Sequence, residues 1–162
     1  MTKRTLSALL AGATLWALTG VAQAQVPQYG ANVNHEQARK ILAAAVADAR
    51  KQSLPMAIAI VDNAGQLVAF ERMDNTQTGS IAVSQDKAQS AAMFRRSTKV
   101  FQDVVAAGGA GLRVLTLRGA NAAEGGMTIV VDGKILGGIG VSGGSGEQDG
   151  VVAKAGLDGL AK

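Results

Sequence analysis

Lys87 sits in a run of small and apolar residues, beside Ala88, Ala91 and Ala92. An ammonium buried there needs a carboxylate, and Glu124 or Asp149 can provide one. Such a lysine can serve as a nucleophile or base once its protonation is shifted; a structural ion pair is the simpler use. Arg95, Arg96 and Lys99 follow at a break between two helical segments. They could grip a carboxylate through charge-assisted hydrogen bonds, or merely complement the end of a helix. Glu124-Gly125-Gly126 and Gln148-Asp149 bracket a hairpin whose second strand carries Gly137, Gly138 and Gly140. Interior glycines mark either a ligand's approach or tight packing of another element. The backbone N–H groups of Gly143 to Glu147, ahead of a helix, suit an anion, unless Glu147 and Asp149 cap that helix themselves.

Other chemistry is excluded by composition. The chain has no cysteine, so thiolate metal sites, disulfides and Cys nucleophiles are ruled out. His35 is its single imidazole, which forbids a multi-histidine metal site within one chain. Asp62 and Asp132 fall in hairpin turns that explain them, and no carboxylate pair is spaced for acid–base catalysis.

The first 24 residues read as a secretory signal. Lys3 and Arg4 form its basic start, Leu6 to Leu18 its apolar stretch, and Ala22-Gln23-Ala24 a small-x-small cleavage site. The stretch is shorter than the roughly 20 residues of a spanning helix. Export to the periplasm or outside the cell follows. Without Lys3 and Arg4, 14 basic residues face 12 acidic ones, too even a balance for a nucleic-acid partner.

The elements that must position these residues form one domain over residues 34–162, after a flexible segment at residues 25–33. Apolar Ala38, Ile41, Leu42, Ala45, Val46 and Ala49 recur at helical spacing from His35 to Gln52, capped by Asn32 or Asn34 and stopped before Pro55. Met56–Val61 and Gln66–Phe70 flank Asp62-Asn63-Ala64-Gly65 as a hairpin. Helices follow at Ile81–Phe94 and Lys99–Ala106, then a strand over Arg113–Leu117. Thr128–Val131 and Ile135–Val141 pair across Asp132-Gly133, and residues 147–161 close the chain as a helix. This order predicts α/β/α layers around a five-stranded antiparallel sheet.

Asp62-Asn63-Ala64-Gly65, the run Leu67 to Asp74, Lys87-Ala88 with Phe94-Arg95-Arg96, Glu124-Gly125-Gly126, Gly137 to Ser142 and Gln148-Asp149 stand in the order seen in GlcG/HbpS-like haem-binding proteins, which the chain resembles from about residue 34 to 160. Related domains lie at the C-terminus of PduO-type cobalamin adenosyltransferases. The resemblance implies a profilin-like α/β (α+β) fold, a ring-forming homo-oligomer, and haem or another tetrapyrrole as ligand for capture, storage or sensing.

Haem asks for an axial ligand, an apolar slot and cations for two propionates. His35 becomes the axial metal ligand, with Met56, Met73, Met93 and Met127 as weaker options. Arg95, Arg96 and Lys99 are the propionate partners, and Lys87, Glu124, Gly125, Gly126, Gln148 and Asp149 complete the cofactor site that the resemblance outlines. Glu147 stands where relatives often carry a histidine, which removes an imidazole from that loop. The other reading is an enzyme or accessory protein that binds a small carboxylate with Lys87, Arg95 and Glu124.

Overall fold

A capping box fixes where the chain first turns helical. Asn34 Oδ1 accepts the N–H of Gln37 at 2.8 Å, and Gln37 Oε1 accepts the N–H of Asn34 at 3.0 Å. Helix α1 therefore begins at His35 and runs His35–Lys51. It ends in a Schellman turn: the N–H of Leu54 returns to the Ala49 carbonyl and that of Ser53 to Arg50. The computed structural model describes residues 26–160, and the leader read over residues 1–24 lies outside the described residues.

Strand β1 is Gln28–Tyr29 and precedes α1. After α1 come β2 (Ala57–Asp62), β3 (Leu67–Arg72), α2 (Gly79–Phe94), α3 (Thr98–Ala106), a 3-10 helix (Gly109–Thr116), β4 (Gly126–Val131), β5 (Lys134–Ser142) and α4 (Gly146–Leu160). Both hairpins foreseen in the sequence form, β2 with β3 and β4 with β5. Asp132 and Gly133 both take positive φ in the second turn, as a two-residue hairpin requires.

The sheet departs from the antiparallel expectation. β5 pairs antiparallel with β4 along one edge and with β2 along the other, where β1 joins its start in parallel, Gln28 opposite Lys134. The fifth strand thus comes from the segment read as a flexible lead-in. Arg113–Leu117, expected as a strand, lies mostly in the 3-10 helix, where Val114 alone is buried.

Two layers cover the sheet unequally. Ile58, Ile60, Ile139 and Val141 enter a core with Ile41, Ala45, Val46 and Val152 of α1 and α4. On the opposite face Ala59 and Val61 meet only Ala88 and Ala92 of α2, with Phe70 at the margin. Here β5 presents Gly138, Gly140 and Ser142, and α2 answers with Ser80, Ser84, Ala88 and Ala92 at four-residue intervals. A Cβ on Gly138 would collide with the Ala88 carbonyl, and one on Gly140 with that of Ser84. Ser142 bonds Ser80 across the seam at 3.0 Å. Gly138 and Gly140 admit a helix backbone and leave no hollow for a ligand, while Gly137 lies against the β2 backbone at Val61.

Candidate functional site

Lys87 and Asp149 meet at the end of that seam. Lys87 Nζ donates to Asp149 Oδ2 at 2.7 Å and to the Val141 carbonyl at 3.0 Å, and both side chains are 3 % exposed. Asp149 Oδ1 accepts the N–H of Gly144 at 2.9 Å. Burial pushes the Asp149 carboxyl above the ordinary range, while its hydrogen bonds from Lys87, Gly144 and Gly143 pull the other way. Gly125 lies directly over the pair. At φ +122° it adopts a backbone favoured by glycine, and a Cβ there would stand 2.7 Å from Asp149 Cβ and 2.9 Å from Lys87 Nζ. A Cβ on Gly126 would strike the Lys87 carbonyl. Glu-Gly-Gly is therefore a lid on a sealed ion pair.

The loop before α4 is likewise satisfied from within. Gln148 Oε1 accepts the Ser145 N–H at 2.9 Å, and Ser145 Oγ accepts that of Gln148 at 3.3 Å. With Asp149 on Gly144, two N–H groups expected to meet an anion are already occupied, whereas Glu147 stays exposed. Glu124 is half-buried between α3 and α4; its N–H donates to Gln102 at 2.8 Å, and its carboxylate packs beside Gly150.

The cations at the end of α2 disperse. Arg95 takes φ 55° as the left-handed residue of a second Schellman turn, in which its N–H returns to Ala92 and that of Arg96 to Ala91. Its guanidinium lies 5.6 Å from the centre of the Tyr29 ring. Arg96 sits 5.7 Å over Phe101. Lys99 bonds Asp103 at 2.7 Å on an exposed face; that hydrogen bond raises its ammonium above the ordinary value, and Glu124 adds to the effect. The helix breaks at Arg95, as the sequence indicates, so Arg95 and Lys99 stand on separate segments. Lys87 is sealed against Asp149 and the Arg95 guanidinium lies over Tyr29, so Lys87, Arg95 and Glu124 do not converge on one carboxylate.

His35 stands elsewhere. It is exposed at the first position of α1, in an open groove of about 460 Å³ shared with Glu36, Arg39, Lys40 and Ala43. α1 and α4 run antiparallel, Gly156 against Ala45 and Gly159 against Ala44. His35 therefore lies at the opposite end of that layer from Asp149, across the sheet from α2. Met56 is buried core, and Met73 and Met127 pack against the core, leaving Met93 exposed. Among the described residues no group of His, Asp and Glu is placed to hold a metal ion, and no helix is long and apolar enough to cross a membrane.

Tyr29 escaped the sequence reading. Its hydroxyl donates toward the Ala92 and Met93 carbonyls at 3.0 and 2.9 Å, tying β1 to the end of α2. A lone tyrosine in a short polar segment carries no signal of that role. A cleft of about 590 Å³ between Arg50 and Arg72 also went unseen.

The family described as "Haem degrading protein HbpS-like" matches residues 33–158. Protein GlcG of Escherichia coli is 39% identical over 110 residues, 68% of this chain and 81% of that one. A solved structure of a PduOC:heme complex superposes with a TM-score of 0.72 at 29% identity, covering 79% of this chain and 94% of the other. A double mutant of HbpS from Streptomyces reticuli gives 0.73 at 26% identity, covering 91% and 97%.

Proposed function

The chain belongs to the HbpS-like family, and we propose that it is an exported protein that binds haem or a related tetrapyrrole for capture, storage or sensing, with His35 as axial ligand. One observation carries this reading: the only imidazole of the chain is exposed on a helix face that also bears Arg39 and Lys40. Arg39 follows His35 by four residues, so the two share that face, and Ala43 continues it without bulk. Such a shelf fits a flat, apolar molecule with acidic edges. Lys40 is held by Glu36 at 3.0 Å but remains exposed, free to exchange partners. The PduOC domain, which superposes on this chain, was solved with haem.

When bound, the haem iron supplies ligand exchange and one-electron chemistry. His35 would contribute a nitrogen donor to the iron, and Arg39 and Lys40 would face the propionates. Arg95, Arg96 and Lys99, on the other side of the sheet, do not serve the same ligand within one subunit. The groove is open on one side, and a second copy in a homo-oligomer would exclude water from it.

Haem titration followed by absorbance tests the proposal. The wild type should give a saturable Soret shift that His35→Ala diminishes. A shift unchanged in the variant removes His35 from the iron, and no shift in the wild type removes haem. Light scattering should report several subunits.

A further inference from the structure

We propose that the cleft where α1 ends, β2 begins and β3 ends is a second binding site, for a small monocarboxylate with an apolar body, held by Arg50 and Arg72. It is about 590 Å³ in volume, larger than the groove at His35 and within the range of small-ligand sites. Arg50 on α1 and Arg72 on β3 line it. Neither guanidinium is engaged tightly: Glu71 stands 4.0 Å from Arg50, and among the described residues Arg72 has no carboxylate within that distance. Two planar donors on a shared cavity match the two oxygens of one carboxylate. Leu54, Pro55 and Met73, each half-buried, supply apolar contact. Glu71 and Asp74 line the cleft as well, so its two guanidiniums face two carboxylates, and a second acidic group on the ligand would be repelled, which favours a monocarboxylate.

The walls are pre-formed. The Schellman turn of α1 fixes Ser53 at φ 56°, a conformation normally left to glycine. On the facing side the N–H of Met73 extends the sheet ladder to the Met56 carbonyl at 3.0 Å. Thr76 closes the following turn, its hydroxyl reaching the Met73 carbonyl at 2.7 Å, with Asn75 at φ 63°. Little backbone freedom is left for a ligand to remove, and that lowers the cost of binding. The site is independent of the tetrapyrrole reading, because His35 and Arg50 lie 15 residues apart on α1, about 22 Å along its axis.

Benzoate is the probe, with benzamide as its neutral counterpart, followed by amide chemical shifts in the haem-free protein at low salt. Benzoate should shift Ser53, Met73 and Asn75 saturably, and benzamide should bind at least about tenfold more weakly. The exposed pair Arg50→Gln/Arg72→Gln should lose about tenfold in benzoate affinity while its haem titration is unchanged; Glu71→Gln, which frees Arg50, should tighten benzoate. Equal binding of benzamide, undiminished binding by the double variant, or no saturable shift would overturn the proposal. Loss of benzoate binding in His35→Ala would show that the two sites are one and overturn it equally.

Discussion

Removing one partner of the Lys87–Asp149 pair should cost far more than removing both. Lys87→Met leaves the Asp149 carboxylate without its ammonium in a place where both side chains are 3 % exposed, and it strips the Val141 carbonyl of a donor. Asp149→Asn leaves the ammonium facing an amide and retains an acceptor for Gly144. Breaking a buried pair from one side costs about 3–5 kcal/mol. For a domain of this size each kcal/mol is worth roughly 4 °C, so Lys87→Met should melt some 10–20 °C below wild type, while Asp149→Asn, whose amide resembles the protonated carboxyl that burial favours, should fall by less. The double variant has no orphaned charge and should recover at least about 2 kcal/mol of the summed losses.

Thermal and urea unfolding of the four proteins closes that cycle, and carboxyl-carbon NMR adds a check on the wild type. Asp149 should titrate above the ordinary aspartate range. A raised folded pKa means that the native state binds the proton more tightly than the unfolded chain. This group's contribution is then full below about pH 4 and declines as pH rises through the raised midpoint. Amine-modifying reagents should spare Lys87 until the protein unfolds. Additive losses in the cycle, or rapid labelling of Lys87 in the native state, would refute a sealed structural pair and reopen the lysine as a reactive group.

Two further outcomes follow from the packing. Gly140→Ala places a methyl against the Ser84 carbonyl and the Ala88 N–H, so α2 must lift from the sheet; a loss of at least about 3 kcal/mol in urea unfolding is expected, and a neutral result would deny the close seam. At Arg95, φ 55° is costly for any side chain, and the stack on Tyr29 offsets that cost. Arg95→Gly should stay within about 0.5 kcal/mol of wild type and Arg95→Ala fall about 1 kcal/mol lower; the reverse order in thermal unfolding would contradict the strain argument.

Where local pattern and tertiary role coincide, the sequence was legible. Asp132-Gly133 made its turn because the positive φ of both residues is a local demand, and α1 declared itself through apolar spacing and an Asn cap. Arg113–Leu117 misled for the opposite reason. A short apolar run has no period to tell strand from helix, and here Leu115 is 66% exposed, with no strand beside it to pair. β1 is two residues long, too short for any period; it is held by its parallel pairing with β5 and by a tyrosine hydroxyl on a helix end 63 residues away. The partner of Lys87 was legible as one of two acids. Geometry selects Asp149, because Glu124 is turned toward Gly150 and the start of α4.

The motifs that make the chain recognisable as a relative are therefore chiefly scaffold. Lys87, Gly125, Gly126, Gly138, Gly140 and Asp149 hold α2, β4, β5 and α4 at one close spacing, and any of them altered would strain the same seam. Chemistry open to a ligand lies on other residues, along the outer face of α1 and in the cleft at its far end. Substitutions at Arg39, Ala43, Arg50 or Arg72 leave that seam untouched, so binding can change there while the fold is kept. The seam holds the architecture of this chain; its ligand must be argued from exposed residues, which here are His35 with Arg39 at one end of α1 and Arg50 at the other.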